Sequence, residues 1–67
     1  MTKKEIVANI MVAVRWLRDN GESVADTLES NGQASYVSLE LLERTLGYKT
    51  KEVLNNILMA LVSQIYA

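Results

Sequence analysis

The three glycines of this chain, Gly21, Gly32 and Gly47, all fall between segments with helical apolar spacing, and there is no proline. That punctuation constrains the fold more than any other feature. Glycine inside a helix costs about 1 kcal/mol relative to alanine and proline about 3 kcal/mol. Stretches free of both therefore run as helices, and each glycine marks a corner. The expected fold class is all-α: a small three- to four-helix domain.

The segments follow from the apolar spacing. Lys3 to Asn20 carries Ile6, Ile10, Ala13 and Leu17 in one stripe, widened by Val7, Met11 and Val14. Trp16 flanks that stripe, and Arg15 and Arg18 lie on the opposite side. Asn20-Gly21 tolerates the left-handed backbone of a helix stop. Ser23 to Ser30 forms a short second helix, with Ser23 as cap and Asp26 in the capping-box position. Val24, Ala25 and Leu28 give it an apolar edge, and Asn31-Gly32 ends it. "GQASYVS" reads as a loop or brief extended piece from which Tyr36 or Val37 docks on the core. Ser38 caps a third segment ending at Leu46, with Leu39, Leu42 and Leu46 on one face, joined by Leu41. Thr50 caps a fourth that runs to about Tyr66. There Val53, Ile57, Ala60 and Leu61 make a core stripe. Leu54, Leu58, Val62 and Ile65 extend the apolar arc beyond what one neighbouring helix covers. The expected core gathers Ile6, Ile10, Leu17, Leu28, Leu42, Leu46, Val53, Ile57 and Leu61.

Composition bears on what such a body needs. Sixty-seven residues bound it to one domain, and a core of that size supplies only ~3–5 kcal/mol. There is no Cys and no His, so neither a disulfide nor the usual structural zinc site is available as a staple. The apolar share of 49% exceeds what so small a core hides. A homodimer or a partner surface is the expected outlet. The lysines and apolar run of "MTKKEIVANIMVAV" look loosely like a signal peptide, but Glu5 and Asn9 interrupt the run and an amphipathic helix fits better. The longest uncharged run, Val53 to Ala67, is shorter than the ~20 residues of a membrane span. The expected location is the cytoplasm, with no membrane contact.

Enzymatic chemistry has little to stand on. There is no His to act as base near neutral pH and no thiol nucleophile. Glu40 with Glu43, and Glu22 with Asp26, sit at neighbour spacing on solvated faces rather than as a catalytic pair. No glycine-rich phosphate loop and no metal-ligand cluster appears. The chain is expected to be no enzyme and to carry no cofactor and no metal.

The stretch "SLELLERTLGYKTKEVLNNILMAL", Ser38 to Leu61, resembles the helix-turn-helix of small bacterial or phage DNA-binding regulators, including winged-helix ones. There "S-L-x-x-L-x-x-x-L-G-Y" leads into a recognition helix that starts near a Thr or Ser. Leu39, Leu42 and Leu46 supply the inner face of the first helix. Gly47 supplies a residue tolerant of an unusual backbone angle. Thr50, Val53, Ile57 and Leu61 supply the second helix. With the chain ending at Ala67, the resemblance implies no wing. It implies double-stranded DNA as partner, transcription regulation as function, and Lys49, Thr50, Lys51 and Asn55 as the DNA-binding residues. The lysines would meet phosphates, and Asn55 an adenine edge. Leu54, Leu58, Val62, Ile65 and Tyr66 would form the dimer or partner interface.

A second reading belongs to another class. The net charge is −1 with a pI of about 5.2, Glu43 stands where the motif usually has a small residue, and no arginine lies on the presumed DNA face. These features suit a protein-interaction module, such as a phage- or plasmid-encoded inhibitor that binds a host protein through its apolar C-terminal helix.

Overall fold

A computed structural model describes residues 1–35 and 38–67 of the chain. It is all-helical: α1 spans Lys3–Asp19, α2 Ala25–Ser30, α3 Leu39–Leu46 and α4 Lys51–Ile65. No strand occurs among the described residues. The expectation that Tyr36 or Val37 docks on the core falls outside those residues.

Side chains close the helix starts. The Thr2 hydroxyl accepts from the Glu5 backbone N–H at 3.2 Å, and the Glu5 carboxylate accepts from the Thr2 N–H at 2.8 Å. This is a full capping box, with each residue satisfying a donor that the first helical turn leaves orphaned. Ser38 caps α3 by accepting from the Leu41 N–H, and Thr50 caps α4 by accepting from the Val53 N–H. The cap expected at Ser23 is displaced. Val24 holds the cap position of α2 in a helical conformation without a side-chain bond, and the Ser23 hydroxyl accepts instead from the Ala25 N–H at 3.3 Å.

The glycines behave in two ways. Gly21 and Gly32 take φ of +76° and +78°, the left-handed backbone that lets a chain turn off a helix end. Gly47 does not: its φ of −61° and ψ of −19° are ordinary helical values. The corner between α3 and α4 therefore needs no unusual angle at Gly47. Thr50, just before α4, is extended, with φ −71° and ψ 159°.

Helices α1 and α4 form the body, with α3 packed on α1 and α2 packed on α4. Contacts at the two ends fix their relative direction. The Lys3 ammonium donates to the Gly47 carbonyl at 2.9 Å, beside the start of α4. At the other end the Gln64 amide donates to the Ser23 carbonyl at 3.0 Å, just beyond α1. The two helices thus run side by side in the same direction. Gln64 also accepts from the Thr27 hydroxyl at 2.6 Å, which holds α2 against the end of α4. Buried Gln33 donates to the Thr45 hydroxyl at 3.0 Å and ties the stretch after α2 to α3.

One apolar cluster fills the interior. It includes Ile6, Ile10, Val14 and Leu17 from α1, Leu28 from α2, Leu42 and Leu46 from α3, and Leu54, Ile57 and Leu61 from α4. Two assignments on α4 change places relative to expectation. Val53, expected in the core, is only partly buried against it, whereas Leu54, expected on the outer arc, is 0% exposed. The reason is the identity of the neighbour. The main partner of α4 is α1 rather than α3, so the centre of its buried arc runs through Leu54, Ile57 and Leu61, with Val53 at one edge.

Candidate functional site

The residues expected to meet DNA lie around the start of α4, and their side chains are differently engaged. The Lys49 ammonium donates to the Gly32 carbonyl at 2.9 Å, bracing the turn against the end of α2. Thr50 spends its hydroxyl oxygen on the Val53 N–H. Lys51 and Asn55, four residues apart on one face of α4, are exposed, and Glu52 is exposed beside them. The opposite charge at this end is tangible at Glu5. Its carboxyl is held below the usual carboxylate range first by the Thr2 backbone N–H, then by the Thr2 hydroxyl, with Lys51 adding a smaller pull. Glu5 and Glu52 are interleaved here with Lys3, Lys49 and Lys51.

A different surface collects half of the large exposed apolar side chains, Val12, Trp16, Val62 and Tyr66. Because α1 and α4 lie side by side, their outer flanks border a shallow groove of about 430 Å³. From α1 it is lined by Asn9, Val12, Ala13 and Trp16. From α4 it is lined by Leu58, Val62, Ile65 and Tyr66. None of these eight side chains is charged. Val12 is 63% exposed, Trp16 45%, Val62 39% and Tyr66 85%, and exposed Met59 lies beside them on α4.

The rows arise from helical spacing. Val12 and Trp16 are four residues apart on α1, and Leu58, Val62 and Tyr66 repeat that interval on α4, so each helix presents a continuous ridge. Asn9 and Leu58 lie towards the middle of their helices, and the two aromatic residues lie towards the helix ends.

Four of the five interface residues expected from the sequence, Leu58, Val62, Ile65 and Tyr66, therefore line one groove. Leu54 does not: it sits fully inside the core against α1 and has no surface to offer a partner. The α1 half of the groove went unassigned in the sequence, where Trp16 was placed only beside the apolar stripe. The signal for it was present in Val12, an apolar residue on the far side of α1 from the Ile6–Ile10 stripe and one turn before the only tryptophan.

No helix among the described residues is long and apolar enough to cross a membrane. Comparison with known proteins found no family model, no curated protein and no solved structure that matches this chain.

Proposed function

We propose that this chain is a small helical protein-interaction domain, of the kind used by a regulator or inhibitor of another protein, and that the groove between α1 and α4 is its docking surface. The observation that carries this reading is the uncharged groove itself, with Trp16 half-exposed and Tyr66 exposed along it. Large aromatic side chains in an apolar setting supply most of the binding energy at protein interfaces. Apolar surface gathered in one place on a small body marks an interaction site, since single exposed apolar residues are scattered elsewhere. The occupant this surface suits is an apolar helix face, which fits a groove between two helices through side chains one turn apart.

The test is retention of binding proteins from cells that express the tagged chain, with Val62→Asp as the matched control. Val62 projects outward, so the fold survives its replacement and circular dichroism verifies it. Proteins retained by the wild type and lost with Val62→Asp support the reading. Equal retention by the two contradicts it.

A second reading, a dimeric DNA-binding regulator, draws on one specific feature: Lys51 and Asn55 are both exposed on one face at the capped start of α4. Helix-start N–H groups and a lysine suit phosphate, and asparagine suits an adenine edge. Gel-shift titration with bulk duplex DNA at two salt concentrations separates the readings. Binding that weakens steeply with salt and is lost with Lys51→Ala favours DNA. Absence of binding at low salt favours the protein surface.

A further inference from the structure

We propose that α2 is a hinged flap. It lifts off the end of α4 while the α1–α4 pair stays folded, and the Gln64 side chain is its latch. Three features of the molecule lead to this.

The first is how little α2 holds by itself. It has six residues, and an isolated helix shorter than about 12 residues is marginal in water. Its cap residue, Val24, makes no side-chain bond to the first turn. From Val24 to Asn31 only Val24 and Leu28 are buried, whereas Asp26, Glu29 and Ser30 are exposed. By contrast α1 buries side chains from Ile6 to Leu17, and α4 from Leu54 to Leu61, and these two helices pack on each other.

The second is where the polar ties of this region converge. Gln64 accepts from the Thr27 hydroxyl at 2.6 Å. Its amide nitrogen donates to the Ser23 carbonyl at 3.0 Å and to the Glu22 carboxylate at 3.4 Å. One side chain on the last turn of α4 thus holds both α2 and the turn before it, and all three bonds are lost together when that side chain lets go.

The third is a hinge at each end. Gly21 and Gly32 flank α2 in left-handed backbone, and glycine moves between left- and right-handed regions without the clash a Cβ would bring. Outside the hinges the chain is pinned. The Gly21 N–H donates to the Arg18 carbonyl at 3.0 Å. The Lys49 ammonium holds the Gly32 carbonyl, and buried Gln33 is tied to Thr45. The movable piece is residues 22–31, and the Glu22 N–H, bonded to the Leu17 carbonyl at 2.9 Å, opens with it.

Native-state hydrogen exchange of the full chain in increasing urea, read by NMR, tests the flap. The Leu28 amide, bonded to the Val24 carbonyl at 2.9 Å, reports α2. The Ile57 amide, in the middle of α4, reports the body. In the wild type Leu28 is expected to be protected and yet to exchange at least about a hundred-fold faster than Ile57. Its rate is expected to depend little on urea, because lifting α2 exposes little surface. Gln64→Ala is expected to speed Leu28 exchange about tenfold. Thr27→Val, which removes one bond of the latch, is expected to act in the same direction with a smaller effect, and it serves if Gln64→Ala does not fold. Ile10→Val loosens the body and leaves the latch intact. It is expected to speed Ile57 several-fold and to leave Leu28 unchanged.

A Leu28 amide without protection overturns the proposal. So does one that matches Ile57 in rate and urea dependence, since α2 would then open only with the whole molecule. Leu28 exchange untouched by Gln64→Ala and by Thr27→Val removes the latch. Ile10→Val speeding Leu28 as much as Ile57 shows a single cooperative unit and contradicts the flap.

Discussion

Leu54 and Val62 belong to the same helix, eight residues apart, and differ in what they touch. Leu54 is enclosed by the core, and Val62 borders the groove. Truncating Leu54 to Ala removes buried methyl groups and leaves a cavity, so a loss of about 2–5 kcal/mol is expected in urea denaturation. Val62→Ala is expected to change stability by less than about 0.5 kcal/mol. Equal losses would contradict the orientation of α4. Glu5 makes a second prediction at this scale. Its carboxyl is depressed in the folded chain by the Thr2 N–H and hydroxyl. The unfolded chain therefore binds a proton at a higher pH than the folded one. The stability from this capping box is complete above the ordinary carboxylate range and is lost as pH falls through the lower folded value. Glu5→Gln keeps a side chain able to accept the Thr2 N–H but does not titrate. Acid denaturation of that variant is expected to show a smaller loss across this window than the wild type.

The helices differ in how far their sequences foretold them. Their existence and approximate ends were legible, because Gly21 and Gly32 interrupt strong apolar periodicity and Ser38 and Thr50 stand one residue before the third and fourth helices. The rotation of α4 was not. Periodicity reports the width of an apolar arc, but which edge of the arc is covered depends on the neighbouring helix, and that neighbour is α1, distant in sequence. The same limit hid Val12, whose meaning comes from lying beside Val62 and Tyr66. The capping box of Thr2 and Glu5 went unread although its spacing is local, whereas Ser23 matched a cap pattern and yet sits one residue outside the cap position. The role given to Gly47 is checked by comparing substitutions. Gly21→Ala forces a side chain into left-handed backbone and is expected to cost about 1 kcal/mol. Gly47→Ala retains allowed dihedral angles. Its new methyl group meets the Arg44 carbonyl oxygen at 3.2 Å, a tight contact that offsets the entropic gain in the unfolded chain. A net change within about 0.5 kcal/mol is expected by thermal denaturation.

At the scale of the whole molecule, two long helices run together in one direction, two short helices close their flanks, and one uncharged groove is left along the seam. That geometry separates two surfaces: the start of α4, where Lys51 and Asn55 stand among carboxylates, and the groove, which has no charge. The central claim is that the groove is the surface through which this protein acts. The most direct test records backbone amide NMR spectra of the chain across a titration with a leucine-rich amphipathic helical peptide. Resonances of Asn9, Val12 and Trp16 on α1, and of Leu58, Val62 and Tyr66 on α4, are expected to move together with added peptide while those of Lys51 and Asn55 stay fixed. Shifts centred on the start of α4, or none along the seam, would contradict the account.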